Sequence, residues 1–115
     1  MPLDMYAGIY VRDIEIAKQW YAQLFGSGPS FVASDTEVVW ELEEHRSVFI
    51  DQNADHAGHS VLTIFVDDFE DWVTRIAQRG VEPTERVTYR NGVRKALYRD
   101  PDGNEVGLGG APVPE

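Results

Sequence analysis

A unit made of a strand, an acidic helix cap and an amphipathic helix occurs twice in this chain of 115 residues. Placing Val11 on Val66 also places Asp13 on Asp68, so the strand ends and the helix starts of the two copies coincide. Apolar alternation predicts the strands, and apolar residues spaced by three and four positions predict the helices. The joint recurrence of strand, cap and helix indicates an internal repeat, and therefore a fold built from two similar modules.

In the first copy, residues 5–11 form the predicted strand. Alternation places Tyr6, Gly8 and Tyr10 on the face opposite to the one that meets the helix. Asp13 is the predicted N-cap of a helix that runs from Ile14 to Phe25, where glycines and a proline follow. Three further strands are predicted over residues 30–33, 36–42 and 46–51.

The second copy is predicted to begin with a strand over residues 59–66 and a helix that is capped by Asp68 and ended at Gly80. Three more strands are predicted over residues 82–88, 93–99 and 105–108. Asn91-Gly92 predicts a two-residue hairpin turn, and residues 109–115 predict a loose tail. The repeated order βαβββ predicts an α+β fold in one domain, with module one at about 4–51, a linker at about 52–58 and module two at about 59–109.

The last predicted hairpin, residues 98–108, reads Tyr-Arg-Asp-Pro-Asp-Gly-Asn-Glu-Val-Gly-Leu. Asp100 can accept hydrogen bonds from backbone N–H groups two residues on, and Gly103 supplies a position with positive φ. Together with the two strand-to-helix entries, this hairpin resembles that of the glyoxalase/bleomycin resistance/extradiol dioxygenase proteins, the vicinal oxygen chelate superfamily. The resemblance implies sheets that curl around a concave cavity, and homodimers in which each cavity is built partly by both chains.

The same resemblance implies four positions at which metal-dependent members of the superfamily place their ligands. In this chain those positions hold Tyr6, Phe49 or Ile50, Val61 and Gly107. A divalent metal prefers histidine nitrogen or carboxylate oxygen, so we expect no metal and no cofactor here. A shift of strand register by two residues leaves one other ligand set open: His59, Glu105 and Glu41.

The concave face is expected to be aromatic and to carry few polar groups, which suits a flat organic ligand. The predicted ligand-binding residues are Tyr6, Tyr10, Trp40, Phe49, Thr63, Phe65 and Gly107. Gly8 and Gly107 are expected to leave room for the ligand, and Arg94 and Tyr98 to add polar contacts.

Charge and composition exclude several classes of function. The formal net charge is −10 and no basic patch is evident, which argues against nucleic acid and against anionic membranes as partners. The chain contains no cysteine, which excludes thiolate catalysis and predicts a cytoplasmic protein, in line with the absence of a secretory signal at its start. The acidic balance favours a cationic ligand at long range.

Three functions remain open from the sequence. The first is a metal-free protein without catalytic residues that binds a small molecule, aromatic or cationic, and resembles the bleomycin resistance branch, with antibiotic sequestration as one form. The second is a metal-dependent lyase, isomerase or dioxygenase of the same superfamily. The third is a module with a regulatory or associative role. A homodimer is expected in each case.

Overall fold

The computed structural model describes residues 3–113 and confirms the predicted α+β fold with two βαβββ units. Sheet one has the order β1-β4-β3-β2, with β1 (Met5–Val11), β2 (Phe31–Ser34), β3 (Glu37–Glu43) and β4 (Arg46–Gln52). Sheet two has the order β5-β8-β7-β6, with β5 (Val61–Val66), β6 (Glu85–Thr88), β7 (Arg94–Arg99) and β8 (Glu105–Gly110). The sheets are separate and do not close into a barrel, so β1 and β5 each form an edge.

Both helices lie where the apolar spacing predicted them, as α1 (Ile14–Phe25) and α2 (Phe69–Gln78). Asp13 caps α1 as predicted, because its Oδ1 accepts from the backbone N–H groups of Glu15 and Ile16 at 3.0 and 3.2 Å. Asp68 is the N-cap residue of α2 as predicted, since its backbone oxygen accepts from the backbone N–H of Trp72 at 3.0 Å, but its side chain makes no capping hydrogen bond. Within the described residues neither helix is long and apolar enough to span a membrane.

One continuous apolar core lies between the helices and the inner faces of both sheets. Module one contributes, among others, Ile9, Val11, Tyr21, Trp40 and Ile50, and module two contributes Phe69, Ile76, Tyr98 and Val106. Because the helices cover only one face of each sheet, the opposite face is left open. We call these two surfaces the open faces of sheet one and sheet two.

Two turn predictions near the C-terminus need correction. The loop between β6 and β7 is not a two-residue turn: Tyr89 pairs with Val93 across three residues, and Gly92 takes the left-handed position with φ 89°. The last strand extends to Gly110, because its backbone continues to pair with β5 and β7. The predicted tail therefore holds only for residues 111–113, and residues 114–115 lie outside the described part of the chain.

The turn between β7 and β8 joins the two modules through a buried hydrogen-bond network. Asp100 Oδ2 accepts from Tyr21 Oη and from Asn104 Nδ2, both at 2.8 Å. Asn104 also donates to the backbone oxygen of Tyr10 and accepts from the backbone N–H of Ser60, both at 2.9 Å. Burial and the neighbouring Asp100 carboxylate raise the pKa of the Tyr21 phenol far above its usual value. The hairpin sequence therefore has a structural role in holding the modules together.

Candidate functional site

The open faces carry large apolar side chains that the rest of the chain leaves uncovered. In β1, Ile9 and Val11 are buried under α1, whereas Tyr6 is 55% exposed and Tyr10 is also exposed. In β5, Phe65 is 60% exposed on the equivalent face. This is the strand phase that alternation predicted.

A solvent-open cleft of about 820 Å³ lies between the edges of β1 and β5. It brings together three of the predicted ligand-binding residues, one from module one and two from module two: Tyr6, Thr63 and Phe65. Its lining is mixed: the apolar part includes Leu42, Leu62, Ile64 and Trp72, and the charged part includes Glu43, Arg46, Asp67 and Asp68. The volume is in the range of small-molecule sites, and both modules line it.

The space expected above Gly8 is filled. The ring of Phe49 lies on this glycine so closely that an added Cβ would clash with the ring carbons. Phe49 is the cross-strand neighbour of Gly8 in the β1–β4 ladder, and it lies on the open face as predicted. The expectation that Gly8 leaves room for a ligand is therefore wrong, because the aromatic ring occupies that room.

The space expected above Gly107 is also filled. It is occupied by Lys95, which the sequence analysis did not identify. A Cβ on Gly107 would lie 2.7 Å from Lys95 Cε and 3.3 Å from Thr63 Oγ1. The ring of Phe65 covers the next glycine on this face in the same way, since a Cβ on Gly109 would lie 2.9 Å from its Cδ2. The alternation of β7 could have identified Lys95, because the residue after it, Ala96, is fully buried in the core.

Trp40 does not lie on an open face, and its assignment to the cavity needs correction. It is 1% exposed and lies on the inner face of β3, where it packs against Tyr21 and Phe25 of α1. Its indole Nε1 donates to the backbone oxygen of Ser27 at 2.9 Å. Trp40 is therefore a core residue, and we leave it out of the proposed site.

Arg94 and Tyr98 also lie on the inner face, so the expected polar contacts with a ligand are wrong. The Arg94 guanidinium donates to the backbone oxygen of Ala111 and lies 5.0 Å from the ring centre of Phe69. Tyr98 is buried, and within residues 3–113 its hydroxyl has no hydrogen-bond partner. Tyr10 remains on the open face, where its ring centre lies 5.9 Å from that of His56 in the linker.

The residues at the metal-ligand positions do not fit a metal ion. Gly107 has no side chain to offer, and Phe49, Ile50 and Val61 are apolar, which leaves the phenol of Tyr6. The alternative set of His59, Glu105 and Glu41 is not brought together, since Glu41 belongs to sheet one whereas Glu105 is in β8 and pairs with Arg99 at 3.2 Å. No group of three or more histidine and acidic residues with metal-binding geometry occurs within residues 3–113.

Comparison with known protein families identifies the superfamily to which the chain belongs. The sequence profile of the Glyoxalase/Bleomycin resistance protein/Dioxygenase superfamily matches residues 3–108. The chain belongs to this superfamily. A comparison with functionally curated proteins gave no match.

Solved structures of the superfamily share the fold. A glyoxalase/bleomycin resistance protein from Catenulispora acidiphila has 42% identity and a TM-score of 0.93, over 96% of this chain and 100% of that one. A lactoylglutathione lyase from Agrobacterium tumefaciens has 19% identity and a TM-score of 0.76, over 93% and 92% of the two chains. A bleomycin-binding protein in complex with bleomycin has 15% identity and a TM-score of 0.76, over 94% and 98%. At these last two identities the likeness concerns the fold alone.

Proposed function

We propose that this member of the glyoxalase/bleomycin resistance superfamily binds a small organic molecule in the cleft between β1 and β5, without a metal ion. The observation that carries the proposal is the exposure of Tyr6 and Phe65 beside Thr63 in one cleft. Large apolar side chains that line a concave surface typically mark a binding site, because the ligand removes them from water. Aromatic rings favour a flat ligand that stacks on them.

Sequestration of a natural product such as an antibiotic is the form of this function that we favour. A bleomycin-binding protein shares the fold, and its structure was solved in complex with bleomycin. The metal-dependent lyase, isomerase and dioxygenase functions are not proposed, because the donor set of Tyr6, Phe49, Val61 and Gly107 offers no histidine or carboxylate.

We also propose that the chain forms a homodimer in which a second copy covers the parts of the open faces outside the cleft. Val61 at the start of β5 is 71% exposed, and Phe31 in β2 is exposed as well. The edge strands β2 and β6, at the opposite ends of the two sheets from the cleft, add unpaired backbone groups to this surface. Sedimentation equilibrium tests this proposal: the expected species has twice the mass of the 13.0 kDa chain, and a monomer at all concentrations would contradict it.

The binding proposal is tested by titration with N-phenyl-1-naphthylamine, an uncharged aromatic dye whose fluorescence rises in apolar surroundings. We expect saturable binding, and about tenfold weaker binding in Tyr6→Ala and Phe65→Ala, because each change removes buried apolar area worth about 1.4 kcal/mol. Ile16→Ala is the control, since Ile16 is an exposed apolar residue on α1, away from the cleft. Circular dichroism verifies that each variant is folded.

The same samples test the metal-free part of the proposal. Metal content is measured by elemental analysis on protein purified without chelator, and the dye titration is repeated after chelation. We expect substoichiometric metal and an unchanged dissociation constant. Absence of dye binding, or binding that is lost on chelation and restored by a divalent metal, would overturn the proposal.

A further inference from the structure

We propose that Lys95 and Thr63 form an anion-binding subsite beside the cleft, so that the ligand carries an oxyanion group next to its aromatic ring. The inference rests on the proposed function, because it names the chemical class of the ligand for the same site. The oxyanion can be a carboxylate, a sulfonate or a phosphonate, since an ammonium and a hydroxyl recognise the charge and oxygens that these groups share.

The first argument is that the end of the Lys95 stem, to which the ammonium is attached, lies next to the Thr63 hydroxyl. Lys95 Cε and Thr63 Oγ1 both lie within 3.3 Å of the point where a Cβ of Gly107 would stand. They come from two strands, β7 and β5, that flank β8 on either side. Because the absent side chain of Gly107 lets the stem of Lys95 lie close to Thr63, one oxyanion group placed over the stem can bridge the ammonium and the hydroxyl. Thr63 itself lines the cleft, so this oxygen would lie at the end of the ligand next to β5.

The second argument is that Lys95 has no counter-charge within residues 3–113, unlike the other basic residues of β7. Arg99 pairs with Glu105 at 3.2 Å, and Arg94 lies 3.7 Å from Glu70 on the inner face. Lys95 is half-buried, with its stem lying over Gly107. Packing of the stem on the sheet accounts for its burial, but it leaves the ammonium without an ionic partner. An anionic ligand would supply that partner.

The net charge of the chain favours a cationic ligand at long range, whereas the ammonium of Lys95 favours an anion in direct contact. Glu37, Glu41 and Asp51 share the open face of sheet one. The open face of sheet two carries charges of both signs, with Lys95 in β7 and the exposed carboxylate of Glu85 in β6, opposite Leu97. The net charge of −10 acts at long range and is screened beyond about 8 Å at physiological salt. A contact at hydrogen-bond distance is decided by the nearest charge, so an oxyanion is expected at Lys95.

A matched pair of dyes isolates the contribution of the anion. 8-Anilinonaphthalene-1-sulfonate has the same rings as N-phenyl-1-naphthylamine and differs from it by one sulfonate. We expect the native chain to bind the sulfonate dye about tenfold more tightly than the uncharged dye, as a charge-assisted hydrogen bond implies. Lys95→Met keeps the length of the stem over Gly107 and removes the charge. It is expected to abolish the tenfold preference and to leave the affinity for the uncharged dye unchanged.

Two further variants complete the test. Thr63→Val removes the hydroxyl at constant shape, and we expect it to lower the preference for the sulfonate dye about threefold. Lys18→Met is the control, because it removes the same charge from the chain's other lysine, on α1, where Lys18 pairs with Glu15 at 3.3 Å. We expect this control to leave both affinities unchanged.

The outcomes separate the inference from the proposed function. If both dyes bind equally to the native chain, or if Lys18→Met and Lys95→Met have the same effect, the anion subsite is refuted while the binding function stands. If neither dye binds, the proposed function fails as well. If Lys95→Met weakens the dimer and leaves the ratio of the two affinities unchanged, Lys95 pairs with a second copy of the chain, and the inference is overturned.

Discussion

The two modules have the same topology and similar inner faces, but their open faces differ in chemistry. The open face of sheet one carries aromatic rings and carboxylates, with the ring of Phe49 lying over Gly8. The open face of sheet two carries glycines that are covered by Lys95 and Phe65. The inner faces share one core, whereas each open face packs only its own side chains against its own glycines.

The modules also differ in how well their buried polar groups are satisfied, which gives the largest expected effect. Tyr21 in α1 donates to Asp100 at 2.8 Å, whereas the Tyr98 hydroxyl in β7 has no partner within residues 3–113. We expect Tyr21→Phe to lower the free energy of unfolding by about 2 kcal/mol, because a hydrogen bond to a charged group is lost. Tyr98→Phe is expected to be neutral or slightly stabilising. Urea denaturation of both variants measures the difference, and equal losses would contradict the account.

The pH dependence gives an independent test of the burial of Tyr21. Because the pKa of Tyr21 is raised in the folded chain, the unfolded chain releases this proton first as the pH passes about 10. The contribution of Tyr21 to the free energy of unfolding is therefore fully present below about pH 10 and decreases as the pH rises above it. Tyr21→Phe is expected to show a smaller loss between pH 9 and 11 than the native chain, as measured by the urea midpoint.

The glycines of the open faces offer the second comparison. A Cβ on Gly8 would meet the ring of Phe49, whereas a Cβ on Gly107 would meet the flexible end of Lys95. We expect Gly8→Ala to cost about 1 to 2 kcal/mol, since a ring must move, and Gly107→Ala to cost less than about 1 kcal/mol, since a lysine stem shifts easily. Thermal unfolding of both variants checks the order. A larger cost at Gly107 would show that Lys95 is held rigidly.

The helix caps offer the third and smallest comparison. Asp13 accepts two backbone hydrogen bonds, and Asp68 accepts none through its side chain. Asp13→Ala is therefore expected to cost about 1 kcal/mol, and Asp68→Ala no more than a few tenths. Chemical denaturation resolves this difference. Equal costs would mean that Asp68 caps α2 in solution.

These comparisons also show which features could be predicted from the sequence. The bounds of α1 were predicted correctly because its apolar spacing, its cap and the following glycines all agree. The face of β1 was predictable from its alternation, and that of β5 from the repeat, which places Val66 on Val11; the burial of alternate residues in β1 agrees with this. In β3, by contrast, alternation placed Trp40 on one side with Val38 and Leu42, but Val38, Val39 and Trp40 are apolar in succession and all buried, so it did not decide which side faces the core.

The candidate site depends on contacts between strands that no local pattern contains. The stem of Lys95 reaches Gly107 on the neighbouring strand, and Phe49 reaches Gly8. A glycine in a strand signals a close approach by another group, but it does not say which side chain approaches. The same limit explains why Arg94 and Tyr98 were assigned to the wrong face of β7, one residue out of phase with Lys95.

The most direct test of the binding account is a nitrogen–proton correlation spectrum of labelled protein titrated with N-phenyl-1-naphthylamine. The account predicts that the backbone signals of residues 5–7 and 62–68 shift together in a saturable way, and that chelation changes nothing, because these residues line the cleft. Shifts confined to the outer surfaces of α1 and α2, or shifts that require an added divalent metal, would contradict it.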